Sequence, residues 1–298
     1  MPPNSYNAER QARSLVAAIA LNLGFAVAEL VFGLVANSLV LIANSLHDAS
    51  DAVALGLSWF GLRLSRRPPN ARRTFGYKKV RILTAFINAL VLGVLTVLIV
   101  RTAINRIIAP APVRSPILIG MALVGLVVNG LAILLLRRDR QSLNIRAAMW
   151  HLFDDLLGFT AVLVGGVLIR LTGWFIIDPL LSIGIGLLVL YGTWSVFREA
   201  TNILIDSTPH DLSFDAVQSF ILSFAPEITG IHDLHIWTLG EGERALMAHL
   251  VVADAPVSTF YPMLARLECA LTERFAINHV TLELECQECK SGTNICLG

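Results

Sequence analysis

Between residues 14 and 197 the chain carries six long apolar stretches, and this pattern restricts its folding more than any other feature. A helix needs about 20 mostly apolar residues to cross a bilayer. The stretches run roughly 14–36, 38–62, 80–106, 116–136, 147–170 and 175–197. Their breaks have local causes. Asn37-Ser38 forms a tight turn, Pro68-Pro69-Asn70 stops the second stretch, and Pro110, Pro112 and Pro116 separate the third and fourth. Thr172-Gly173 separates the last two, as expected of residues that break helices. The expected architecture is therefore an α-helical membrane protein with six transmembrane helices.

Charge supports the same division. Charged residues make up 15% of the chain, against about 25% in an ordinary soluble protein. The deficit lies before about residue 205. Lys and Arg near helix ends set orientation, because they are retained on the cytosolic side. With a cytosolic N-terminus, that side holds Arg10, Arg13, Arg63, Arg66, Arg67, Arg72, Arg73, Lys78, Lys79, Arg81, Arg137, Arg138, Arg140, Arg146 and Arg198. The far side holds Arg101, Arg106, Arg114 and Arg170. An even number of spans returns the C-terminus to the cytosol. The polar start (MPPNSYNAERQARS) lacks the pattern of a cleaved leader, so the first apolar stretch is expected to stay in the membrane. A net charge of +1 provides no argument for nucleic acid as a partner.

After Asp206 the texture becomes that of a small soluble domain. Residues 213–225 and 257–275 read as helices, and 231–238, 245–253 and 279–285 as strands. The order αββαβ predicts a C-terminal cytosolic α+β domain with helices on one face of the sheet. The expected organisation is a tail at 1–13, a transmembrane domain at 14–205, a cytosolic domain at 206–287 and a Cys-containing tail at 288–298. Cys269, Cys286, Cys289 and Cys296 all fall in the last part, which fits reduced cytosolic thiols better than a disulfide framework.

Ionisable side chains inside a span are expensive and mark a pathway or a site. The second span contains His47 and Asp51, and the fifth contains His151 and Asp155. Each pair has the spacing His-x-x-x-Asp, which puts both side chains on one helix face, one turn apart. Two such pairs on facing helices would bring two imidazoles and two carboxylates around one point, a donor set suited to a tetrahedral, zinc-like cation. A single pair could serve only to hold helices together, but duplicated spacing in separate spans favours ligation. Asp48 and Asp154 sit beside the pairs, about 100° round the helix, and read as second-rank or water-facing groups. Glu29, Asn22, Asn44 and Asn129 read as contacts between helices. Asp178, just before Pro179, reads as a helix cap.

These residues, together with NSLVLIANSLHDASD at 37–51, FGYKKVRILTAFINAL at 75–90, DPLLS at 178–182, IHDLHIWT at 231–238, AHLVV at 248–252 and HVTLELE at 279–285, closely resemble the cation diffusion facilitator family of zinc and divalent cation transporters. The resemblance runs from about residue 14 to 286 and is that of a compact bacterial-type member. It implies a homodimer with a cytosolic ferredoxin-like domain, exchanging cytosolic metal for external protons. It also implies that His47, Asp51, His151 and Asp155 are the transport ligands, with zinc as substrate. In the cytosolic domain it nominates His232, His249, His279 and Glu285 as ligands of a regulatory zinc. Cys286 and Cys289 follow at a spacing that two thiolates can use on one zinc, while His235 is left as structural. The loop between the second and third spans has no histidine, unlike some members, so its arginines are free to meet anionic lipid or the cytosolic domain. By this reading the chain is an exporter of Zn2+, with Cd2+ and Co2+ also possible, in a bacterial inner membrane. The alternatives are another divalent cation as main substrate, or a membrane metal sensor that does not transport. It is not expected to be an enzyme: an intramembrane metallopeptidase would need His-Glu-x-x-His, which is absent.

Strand alternation places His232 on one face with Leu234 and Ile236, and His235 on the other with Asp233 and Trp237. His249 shares a face with Met247 and Val251, and His279 with Thr281, Glu283 and Glu285.

Overall fold

The computed structural model describes residues 5–65, 68–136, 143–240 and 242–286. Six long helices come first: α1 (Ser5–Ala36), α2 (Leu39–Ser65), α3 (Lys78–Ile108), α4 (Ser115–Leu136), α5 (Leu143–Thr172) and α6 (Ile177–Leu204). A smaller set follows: α7 (Phe214–Leu222), β1 (Ile228–Gly240), β2 (Glu243–Val252), α8 (Tyr261–Phe275) and β3 (Ile277–Glu285). Each element overlaps the stretch expected for it, although α1 begins at Ser5, within the segment expected to be a tail. The chain divides into two compact units, one of residues 1–60 and 87–197, the other of residues 61–86 and 198–298.

The first unit is arranged with its polarity reversed relative to a soluble bundle. Leu188, Tyr191, Leu171 and Val127 point outward and are mostly exposed, whereas Glu29, Asn44, Asp48, Asn129 and Asp178 are buried. Apolar side chains on the outside cost nothing when lipid is the solvent, and polar ones are kept inside the bundle. Four of the described helical segments are long and apolar enough to span a bilayer: Lys78–Ile108, Ser115–Leu134, Leu152–Thr172 and Ile177–Leu204. The α1 segment Ala20–Ala36 is apolar but shorter.

Close packing in this unit relies on missing side chains. A Cβ on Gly125 of α4 would lie 2.5 Å from the Phe159 ring of α5, and one on Gly165 of α5 would lie 2.3 Å from Leu181 of α6. The core between them is built from Val40, Leu41, Leu118, Ala122, Val162 and Ile169.

One end of this unit is pinned by hydrogen bonds. Asn37 adopts φ 55° in the α1–α2 turn, a left-handed conformation that Asn tolerates. Arg106 donates to its carbonyl at 2.7 Å and to its side-chain oxygen at 2.6 Å. Asp178, in the first turn of α6, accepts from Ser38 Oγ at 2.5 Å and from the Leu39 backbone N–H at 2.8 Å. Asp178 is thus a cap, but of α2 rather than of its own helix.

The second unit holds a three-stranded sheet in the order β1-β2-β3. β1 and β2 are antiparallel, and α8 carries the chain across so that β3 runs parallel to β2. Val217 and Ile221 of α7 and Met263, Leu267 and Leu271 of α8 cover one face, against Ile231, Leu234, Leu246, Leu250 and Ile277. The same unit contains the start of α3, where Lys78 pairs with Glu243 and Lys79 with Asp206.

Candidate functional site

Two groups of sequence-predicted ligands can be followed in the structure. The first lies in the helical unit. His47 and Asp51 share a face of α2, with Nε2 of His47 3.8 Å from Asp51 Oδ2. Asp155 lies on α5, partly buried. The helix includes His151, whose side chain lies outside the described residues. So three of the four candidate side chains can be placed, and the i, i+4 geometry expected of the first pair is present.

Beside this pair lie Glu29 and Asn44, read from the sequence as contacts between helices, and Asp48, read as a second-rank or water-facing group. Glu29 of α1 is fully buried, and Asp48 of α2 is 7% exposed. Asn44 donates to Glu29 Oε1 at 3.0 Å, and the Asp48 carboxyl stands within hydrogen-bond reach of Glu29. Asp48 therefore faces a neighbouring helix rather than water. The spacing Asn44-x-x-x-Asp48 is again i, i+4, a signal available from sequence alone; its partner on α1 was not.

The second group lies on the open face of the sheet in the other unit. His232, His249 and Glu285 bring one ligand atom each to within 4.8 Å of one another, the one such group of three among the described residues. His232 Nε2 lies 2.9 Å from Glu285 Oε2, and His249 Nδ1 lies 2.8 Å from Glu285 Oε1. Despite these distances, both ring nitrogens of His232 and Nδ1 of His249 are buried without a hydrogen-bond partner. Buried polar atoms are normally paired, so donor atoms that converge without hydrogen bonding fit a zinc ion's demand for nitrogen and oxygen lone pairs.

The backbone explains how these three meet. His232 is paired with His249 across the antiparallel ladder, but the next pair is His235 with Met247, so β1 carries an extra residue. The extra residue is accommodated at Asp233, whose φ is 51°. A bulge of this kind breaks strict alternation. As a result Ile231 and Leu234 both enter the core, and His232 turns to the opposite face to join His249. The expectation that His232 shares a face with Leu234 and Ile236 is corrected by this bulge. On β3 the alternation holds, and Glu285 lies opposite Val251 while His279 lies opposite Ala245. His279 shares the face of Glu285, but six residues of strand separate them by about 20 Å. Its ring instead packs edge-on against Phe75, with centroids 5.3 Å apart.

Other carboxylates surround His249. Its Nε2 lies 3.7 Å from Asp233 and 3.5 Å from Glu283. His235 Nε2 lies 3.0 Å from Asp233 Oδ1. Cys286 is exposed, with Sγ 3.9 Å from Asp254 Oδ1; Cys289 lies outside the described residues.

A reversed-polarity bundle with ionisable pairs on two of its helices, joined to a sheet with a preformed ligand group, is matched by known families. Residues 15–205 match the cation efflux transmembrane domain, and residues 209–286 match the cytoplasmic domain of cation efflux proteins. The chain belongs to the cation efflux family. Its members are transporters, not enzymes, and this chain is an integral membrane protein. It is similar to zinc transporter ZitB of Pectobacterium atrosepticum, at 35% identity over 96% of this chain and 89% of that one. It is 36% identical to the metal cation efflux system protein CzcD of Cupriavidus metallidurans, over 93% of this chain and 88% of that one. It is also 32% identical to the cadmium, cobalt and zinc/H(+)-K(+) antiporter of Bacillus subtilis, over 95% and 91% respectively. The resemblance read from the motifs is thus borne out.

Proposed function

We propose that this cation efflux protein exports Zn2+, and also Cd2+ and Co2+, from the cytosol in exchange for protons, through His47, Asp51, His151 and Asp155. The observation that carries the reading is the His47–Asp51 pair on one face of α2 and its repetition in sequence on α5. The printed names of the relatives, zinc transporter ZitB and a cadmium, cobalt and zinc antiporter, supply the substrate class.

The chemistry follows from competition. Ligands must lose protons to take up a cation, so metal and proton exclude each other. Imidazole exchanges protons near neutral pH, which lets a proton arriving from the far side displace the metal there. The domain limits are taken as 14–205 and 206–287, with six spans, both termini in the cytosol and the protein in a bacterial inner membrane. We take the assembly to be a homodimer. In each cytosolic domain His232, His249 and Glu285 would hold a regulatory zinc and favour one arrangement of the dimer; Cys286 and Cys289 are candidates to complete it, while His279 is too far along the strand to join the same ion.

The test is reconstitution in vesicles carrying a pH dye and a zinc dye inside, with zinc added outside and Asp155→Ala as control. Zinc entry with opposite proton flow, lost in the variant, is expected. Absence of flux in the wild type under either gradient, with zinc still bound, would overturn export in favour of metal sensing.

A further inference from the structure

We infer that the loop between α2 and α3 is a docking surface for acidic phospholipid headgroups, with Arg72 and Arg73 as its phosphate contacts. The inference goes beyond export and uses only the cytosolic placement of that loop proposed above.

The sequence supplies the charge. Residues 61–86 contain eight Lys and Arg and no Asp or Glu. The stretch joins two apolar segments, so both of its ends leave the bilayer on the same side. Setting its own basic residues aside, seven cytosolic Lys and Arg positions remain against four on the far side. The orientation therefore does not depend on this loop.

The structure divides that charge in two. Lys78 and Lys79, at the start of α3, are taken by acids of their own unit: Lys78 pairs with Glu243, and Lys79 lies 2.6 Å from Asp206. Arg72 and Arg73 are exposed, and among the described residues neither guanidinium forms an ion pair with a carboxylate. Of the two anionic partners open to this loop, the cytosolic domain is met by the lysines, which leaves the lipid to the arginines.

The arginines are also held in place. Asn70 Oδ1 accepts from the backbone N–H groups of both Arg72 and Arg73 at 3.0 Å. Asn70 and Arg73 exchange backbone hydrogen bonds at 3.1 and 3.0 Å. The Arg73 guanidinium lies over the Tyr77 ring, 4.3 Å from its centroid, a cation–π contact that positions the group without supplying an acceptor for its N–H donors. Phe75, two residues on, is 45% exposed. An apolar ring next to guanidinium groups suits the boundary between headgroups and acyl chains.

The partner's chemistry follows. Guanidinium grips phosphate through paired N–H donors. The cytosolic leaflet carries negative charge on its phospholipids, and each Lys or Arg close to it strengthens binding by roughly fivefold. With no carboxylate in the loop to repel it, a lipid phosphodiester at the bilayer surface is the matching anion.

The experiment titrates the detergent-purified full chain with phosphatidylglycerol or phosphatidylcholine and counts bound lipid by native mass spectrometry. Affinity for phosphatidylglycerol is expected to fall by roughly fivefold or more in R72Q/R73Q, with phosphatidylcholine unaffected. R101Q/R114Q removes the same charge from the far side and should bind like wild type. Equal phosphatidylglycerol affinity in wild type and R72Q/R73Q would overturn the surface, and an equal loss in R101Q/R114Q would reduce it to net charge. Displacement of the lipid by inorganic phosphate at matching concentration would make it a site for free phosphate instead. Wild type alone provides a second reading that needs no folded variant: its phosphatidylglycerol affinity should weaken as salt rises, and a salt-independent affinity would also overturn the proposal.

Discussion

At the scale of single residues, the consequential groups are those whose partners lie on another helix. Asp178 is the clearest case. It is completely buried and satisfies the start of α2 through Ser38, Leu39 and, at 3.4 Å, Val40. Removing an N-capping acceptor costs about 1–2 kcal/mol. Asp178→Ala is expected to lower the melting temperature of the solubilised protein by several degrees or so, with Asp178→Asn recovering part of the loss. An unchanged melting temperature in Asp178→Ala would show that the cap contributes nothing. Asp51 and Asp155 are expected to behave differently. Asp51→Asn should leave the melting temperature near that of wild type while lowering zinc flux by roughly tenfold or more, the scale set by weakened metal ligation.

At the scale of elements, two contacts decide how ligands are presented. Gly125 lets α4 lie directly on the Phe159 ring, and Phe159 is one turn along α5 from Asp155. Adding a methyl group here forces a shift, because overpacking a tight interface costs about 1–3 kcal/mol. Gly125→Ala is therefore expected to slow transport, and pairing it with Phe159→Leu should restore part of the rate. No change in vesicle flux on Gly125→Ala would mean that α5 is not held through this contact. In the soluble unit, Arg244 ties Asp211 at 2.6 Å and donates to the Phe275 carbonyl at 2.9 Å. The hydrogen bond from Arg244 holds the Asp211 carboxyl below the usual carboxylate value. A depressed folded pKa contributes stability above the unfolded value, and that contribution is lost as pH falls through the folded one. Asp211→Asn should flatten the acid limb of the stability profile below about pH 4, by a modest amount because Asp211 itself is exposed. Hydrogen exchange at β2 and α7 across that pH range checks it, and an identical profile would discount the pair.

At the scale of the whole molecule, the two units use acidic groups differently: the helical unit buries Glu29, Asp48 and Asp178, and the other unit presents its candidate ligands on one face of its sheet. His232, His249 and Glu285 bring ligand atoms within 4.8 Å of one another, so binding there should need little rearrangement of the sheet. Zinc should therefore stabilise the wild-type chain and stabilise the H232A/H249A variant less, the gain growing as the logarithm of ligand concentration over the dissociation constant. Equal zinc-induced shifts in melting temperature would place the stabilising ion elsewhere. Within the same unit, β3 carries Glu285 at one end and His279 against Phe75 near the other.

The sequence alone determined the periodic properties of this protein. Long apolar runs, prolines and arginine asymmetry set where helices start, stop and face, because solvation by lipid or water acts on each segment independently. Spacing of four residues likewise put His47 with Asp51, since a helix has one geometry. Strand alternation was also legible for His249 and β3, but failed at His232. There a single extra residue at Asp233 reverses the face, and whether a strand bulges depends on its neighbour in the sheet. The tertiary structure alone decided which distant residues meet: Glu29 with Asp48, Asp178 with the start of α2, His279 with Phe75 rather than with Glu285. Those pairings join positions from 19 to 204 residues apart, and no local pattern encodes them, because they follow from how whole elements pack.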